Sequence, residues 1–127
     1  MPGLFKSLFT TPQRSGQRLQ RDAVAVIQSD QRGGSAEKLQ HIADLTRDES
    51  AKFESRLTAN PNNRDGLVYD LQQKHKEARR RRDYALFTAM TLVLIQLRAK
   101  DLGEHGEAAI QTIENFIDNP QNQNRDL

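Results

Sequence analysis

Three histidines are the residues of this 127-residue chain best suited to acid–base or metal chemistry at neutral pH. Glu37, His41 and Asp44 are spaced four and three residues apart, so a helix would place them on one face, where they could ligate a metal ion. A di-metal carboxylate bundle, however, uses Glu-x-x-His motifs on two helices, and the sequence contains no such motif. We therefore expect no metal site around His41.

The other two histidines have surroundings that point away from catalysis. His75 lies between Lys74 and Lys76, a basic setting that disfavours a bound cation, and His105 lies beside Glu104. The chain has no cysteine, so thiol catalysis and thiolate metal sites are excluded. It also lacks a glycine-rich phosphate loop, a nucleophile elbow and a convincing triad. We expect no catalytic residue, no cofactor and no enzymatic activity.

A second group with chemical potential is the run of arginines from Arg79 to Arg82, preceded by Lys76. These five residues are the candidate site for a polyanion or an acidic partner: Lys76, Arg79, Arg80, Arg81 and Arg82. Consecutive residues on a helix turn by about 100°, so the four arginines would form a collar of charge instead of the one-sided stripe expected of a groove-binding helix. The net charge is only +2, and residues 98–127 contain six acidic and three basic residues. The interpretation we favour is a solvated helical section whose charges form ion pairs within the chain. The acidic last helix of the same chain and an acidic surface of another chain are equally open as further neighbours of the collar.

The arginines run directly into thirteen uncharged residues, 85–97. As a helix this run would span about 20 Å, whereas a bilayer core of about 30 Å needs about 20 apolar residues. We expect no transmembrane span. Because the run is apolar on more than one face, it should lie at the centre of a bundle or meet a second chain. The candidate contacts in this run are Leu86, Phe87, Met90 and Leu94.

Helical periodicity and breakers suggest the elements that position these groups. The patterns predict helices over 13–31, 36–58, 64–101 and 104–118, separated by Gly33-Gly34, by the segment 59–63 and by Gly103. No stretch alternates as a strand would. The predicted fold is all-α: a bundle of three to four helices with one long central helix over about 64–101, forming a single domain over 13–119 with a polar tail over 120–127. Within 72–83 a kink or a break is open, although no Pro or Gly requires one.

The first twelve residues form a separate amphipathic segment. Leu4, Phe5, Leu8 and Phe9 share one face of a short helix, which could dock on a protein or lie on a membrane surface, and the segment also resembles a mitochondrial targeting sequence. Docking on protein is the reading we favour. Together with the apolar run, it predicts a non-enzymatic, cytoplasmic protein–protein interaction module, such as an adaptor, a chaperone-like accessory or a regulator, which self-associates. The alternative is a small nucleic-acid-associated or other polyanion-binding protein that uses Arg79–Arg82.

Overall fold

The described part of the chain, residues 11–122 of the computed structural model, consists of helices joined by short turns. The α-helices are α1 (Pro12–Gly33), α2 (Ala36–Ala59), α3 (Arg64–Arg80), α4 (Tyr84–Asp101) and α5 (Glu107–Asp118). Short 3-10 turns over Pro61–Asn63 and Gly103–Gly106 lie before α3 and α5. These residues contain no strand, which confirms the all-α class. Five helices replace the three to four that were expected.

Local capping chemistry sets where three of the helices begin. The hydroxyl of Thr11 accepts a hydrogen bond from the backbone N–H of Arg14 at the start of α1, and Ser35 does the same for Lys38 at the start of α2. The carboxylate of Asp83 accepts from the N–H of Leu86 at the start of α4. Each cap satisfies a backbone donor that the first helical turn leaves without a partner.

The expected continuous helix over 64–101 is wrong, because the chain reverses between α3 and α4. Arg82 has φ +59°, a left-handed conformation that usually belongs to glycine. The N–H of Asp83 donates to the carbonyl of Ala78, and the N–H of Arg82 donates to the carbonyl of Arg79. This pair of bonds is a Schellman helix stop. Asp83 then caps α4, so the two halves form an antiparallel pair.

The apolar run lies at the centre of the bundle, as its all-round apolar character predicted, but on the 18-residue helix α4. Helix α4 packs against each of the other four helices. Leu92, Ile95 and Ala99 join a core shared with α1, α2 and α5, whereas Met90, Val93 and Leu97 join a second core with α2 and α3. No helix among residues 11–122 is long and apolar enough to cross a membrane.

Candidate functional site

A groove runs along one side of α4, between α1 and α3. Both helices pack on α4 but not on each other, so a strip of α4 between them has no covering helix among the described residues. The groove encloses about 600 Å³ and extends along α4 from Thr91 to Arg98. Seven residues of helix rise about 10 Å, so the groove is about two helical turns long.

The floor of the groove is apolar and its walls are mixed. Leu94 and Ile95 of α4 form the floor and are 8% and 4% exposed. Val26 and Ala25 of α1 continue this apolar surface up one wall, Val26 half-buried and Ala25 exposed. A narrow apolar floor between polar walls suits the apolar face of an amphipathic segment.

His75 of α3 is fixed in the opposite wall by contacts with α4. Its ring stacks on that of Phe87 with 4.3 Å between ring centroids, and its Nε2 lies 2.8 Å from the hydroxyl oxygen of Thr91. The Thr91 hydroxyl donates its only proton to the carbonyl of Phe87, 2.9 Å away. When the hydroxyl donates to that carbonyl it accepts from Nε2–H, and Nδ1 is then the unprotonated nitrogen of the neutral ring.

Cations from two helices surround His75. Lys76 of α3 and Arg98 of α4 line the groove, and Asp22 of α1 is the carboxylate on the far wall. Burial lowers the pKa of His75, and the positive charges of Arg79 and Arg98 lower it further. The two arginines therefore act on one ring from different helices. Within residues 11–122, Lys76, Arg79 and Arg98 have no carboxylate at ion-pair distance.

The arginine run does not form the expected collar, because α3 ends inside it. Arg80 and Arg81 both pair with Glu77, one turn earlier on the same helix. Hydrogen bonding from Arg80, with a further contribution from Arg81, lowers the pKa of Glu77 to about 2. Neither the last helix of the chain nor a second chain is needed to explain these two arginines. Arg82 occupies the turn itself.

The predicted interface residues lie in three different environments. Leu4, Phe5, Leu8 and Phe9 lie outside the described residues. Met90 is completely buried by the other helices of the chain, so it cannot touch a partner without unfolding, and Leu94 reaches the surface only at the groove floor. Leu86 and Phe87 are half-buried. The apolar surface of α4 that remains accessible is therefore narrower than the sequence suggested.

The histidine face of α2 does not converge on a metal site. His41 and Glu37 are exposed, and the carboxylate of Asp44 binds Gln40 and Arg47. No cluster of three or more His, Asp or Glu side chains among residues 11–122 could hold a metal ion. His105 lies 3.7 Å from Glu104 at the surface.

Sequence reasoning missed the groove because it depends on which helices are neighbours. Asp22 and Arg98 were not singled out, since nothing in their local sequence separates them from other surface charges. His75 was judged by the lysines beside it, whereas the structure sets its environment through Phe87 and Thr91. The sequence did contain one sign of this wall: Thr91 and Arg98 are seven residues apart, so they place polar groups on one side of a mostly apolar helix.

No protein-family model matches the sequence, and comparisons with curated proteins and with solved structures return no match either.

Proposed function

We propose that the chain is a non-enzymatic protein-interaction module that holds an amphipathic helix of a partner protein in the groove between α1 and α3. The observation that carries the proposal is the incomplete enclosure of the central helix. Within residues 11–122, four helices contact α4, and the strip between α1 and α3 is the side left without one. A partner helix would supply the missing neighbour.

The dimensions and surface of the groove support a helix as the occupant. About two turns fit along it, which allows anchors at positions i, i+3 or i+4, and i+7 to meet the floor. The floor is made by Leu94 and Ile95, and Val26 extends it up the α1 wall. Burying such a patch contributes about 25 cal/mol per Å² of apolar surface removed from water.

Binding of a polyanion through the arginine run has weaker support. Arg80 and Arg81 already pair with Glu77, so only Lys76, Arg79 and Arg82 would offer charge that no described carboxylate neutralises. The exposed tyrosines are Tyr69 and Tyr84, at 59% and 61% exposure, which is a sparse set for stacking on bases. Nucleic-acid binding is therefore the alternative function, and the following experiment distinguishes it from helix binding.

A random helical peptide library, panned on the purified protein at about 150 mM salt, tests the proposal without assuming a partner. We expect selected peptides to carry apolar residues at i, i+3 or i+4, and i+7. Their amide chemical-shift footprint should fall on residues 22–29, 72–79 and 91–98. Failure to recover helical binders, or a footprint elsewhere, would overturn the proposal. Concentration-dependent dimerisation with the same footprint would identify a second copy as the occupant, and a footprint produced only by nucleic acid would favour the polyanion alternative.

A further inference from the structure

Two basic side chains, Lys76 of α3 and Arg98 of α4, line the groove. Lys76 and Arg79 are three residues apart on α3 and therefore lie on neighbouring parts of the same face. The charges of Arg79 and Arg98 both act on His75 in the wall of the groove. All three residues are exposed, so they are available to a ligand.

These three cations have no carboxylate partner among the described residues, whereas three other cations of α3 and α4 do have one. Arg64 pairs with Asp101 at 2.8 Å, and Lys74 and Lys100 pair with Glu49 and Glu54 of α2. In those pairs a carboxylate from a neighbouring helix meets each cation. At the groove the neighbouring helix is missing, and Asp22 on the far wall is the only carboxylate lining it among the described residues.

We infer that the groove selects its partner helix by a carboxylate, an Asp or Glu side chain flanking the apolar anchors on the side of His75, where Lys76 and Arg98 line the groove and Arg79 lies one turn from Lys76 on α3. This inference rests on the proposed function and adds the chemistry of the partner. Guanidinium groups bind a carboxylate through two parallel N–H bonds, which fixes geometry as well as charge. The apolar floor next to these groups excludes water once a helix is bound, which strengthens the contact.

The same cluster would reject the opposite type of helix. A Lys or Arg at the flanking position would be held against like charges, and such juxtapositions are costly at an interface. The single Asp22 on the α1 wall favours a helix that is acidic on its α3-facing flank and neutral or basic on its α1-facing flank. This asymmetry would also fix the direction in which the helix lies.

A matched pair of peptides tests the inference. One groove-binding peptide from the library is compared with a version in which its flanking Glu is replaced by Gln. We expect the Gln peptide to bind about tenfold more weakly at low salt, because a hydrogen-bonded charge pair is lost. Arg98→Gln in the protein should remove the difference between the peptides. Arg56→Gln, an exposed arginine of α2 without an ion pair in the described chain, should preserve it.

Histidine titration followed by NMR supplies a second readout that depends on the carboxylate itself. A carboxylate placed beside His75 favours the protonated ring, so the Glu peptide should raise the pKa of His75 and the Gln peptide should not. Equal affinities and an unchanged His75 titration would overturn the inference while the helix-binding groove stands. If no selected peptide binds in the groove, the proposed function fails and the inference falls with it.

Discussion

The side chains of His75 and Thr91 join α3 to α4 through a hydrogen bond of 2.8 Å at the wall of the groove. With the threonine hydroxyl donating to the carbonyl of Phe87, the histidine ring is the donor of this bond. Stacking of His75 on Phe87 adds a second contact between the same helices. These two contacts hold α3 and α4 together about two helical turns away from the reversal at Arg82.

Replacing Thr91 by Val tests this connection. The change keeps the shape of the side chain but leaves Nε2–H of His75 without its acceptor, so we expect the free energy of unfolding to fall by about 1–2 kcal/mol in urea denaturation. Thr58→Val is the matched control, because Thr58 makes the same bond to the carbonyl four residues earlier and no other. That variant should lose less than about 0.5 kcal/mol. Equal losses in both variants would mean that the contact with His75 contributes nothing to the free energy of unfolding.

The pH dependence of stability should carry a signature of His75. Burial, reinforced by Arg79 and Arg98, lowers its pKa below the ordinary value of 6.5. As pH falls through 6.5 the unfolded chain takes up the proton before the folded chain does, so the free energy of unfolding decreases below that pH and is fully present above it. We expect urea midpoints of the wild type to drop from pH 7 toward pH 5 more steeply than those of His75→Gln. The same dependence of the urea midpoint on pH in both proteins would contradict a lowered pKa of His75 in the folded state.

The left-handed residue at the α3–α4 reversal offers a test of the fold. Arg82→Gly should raise the free energy of unfolding by about 0.5–1 kcal/mol, because glycine adopts positive φ without the penalty that arginine carries. Arg79→Gly, three residues earlier and inside α3, should lower it by about 0.5–1 kcal/mol. Thermal or urea unfolding of both variants measures the two effects. A loss of stability in Arg82→Gly would indicate a continuous helix through this region.

This reversal also shows where sequence reasoning reached its limit. The breaker Gly33-Gly34 acts locally, so the boundary between the first two helices was placed within about two residues. The stop at Arg82 uses a residue that seldom adopts this conformation, and no glycine or proline announced it. Asp83 directly before an apolar run was the available sign, since Asp is a favoured N-cap.

The position of the apolar run could be predicted, whereas the site beside it could not. A helix apolar on all sides must be surrounded, and this requirement left residues 85–97 either at the centre of the bundle or against a second chain. Which side stays partly open depends on α1 and α3 failing to meet, and no local pattern encodes the distance between two helices. For the same reason Met90 was taken as a contact for a partner although the chain itself encloses it.

Two glutamates of α2 that pair with lysines of other helices differ in burial. The two ion pairs should therefore contribute different amounts to the free energy of unfolding. Lys74 pairs with Glu49, whose side chain is 8% exposed, and Lys100 pairs with Glu54, whose side chain is 47% exposed. Lys74→Met leaves a buried carboxylate with only the more distant Lys52, at 3.9 Å, and should lower the free energy of unfolding by about 1–2 kcal/mol. Lys100→Met should change it by less than about 0.5 kcal/mol. Similar effects in urea denaturation would show that burial of Glu49 does not matter.

The groove itself is tested most directly by filling it. Ala25 lines the groove on α1, and Ala51 is an exposed alanine of α2 that does not line it. The measurement is the affinity of a library-selected helical peptide for the wild type, Ala25→Trp and Ala51→Trp by isothermal titration calorimetry. A helix that binds between α1 and α3 predicts at least about a tenfold loss for Ala25→Trp and no change for Ala51→Trp. Unchanged affinity in Ala25→Trp would contradict the account.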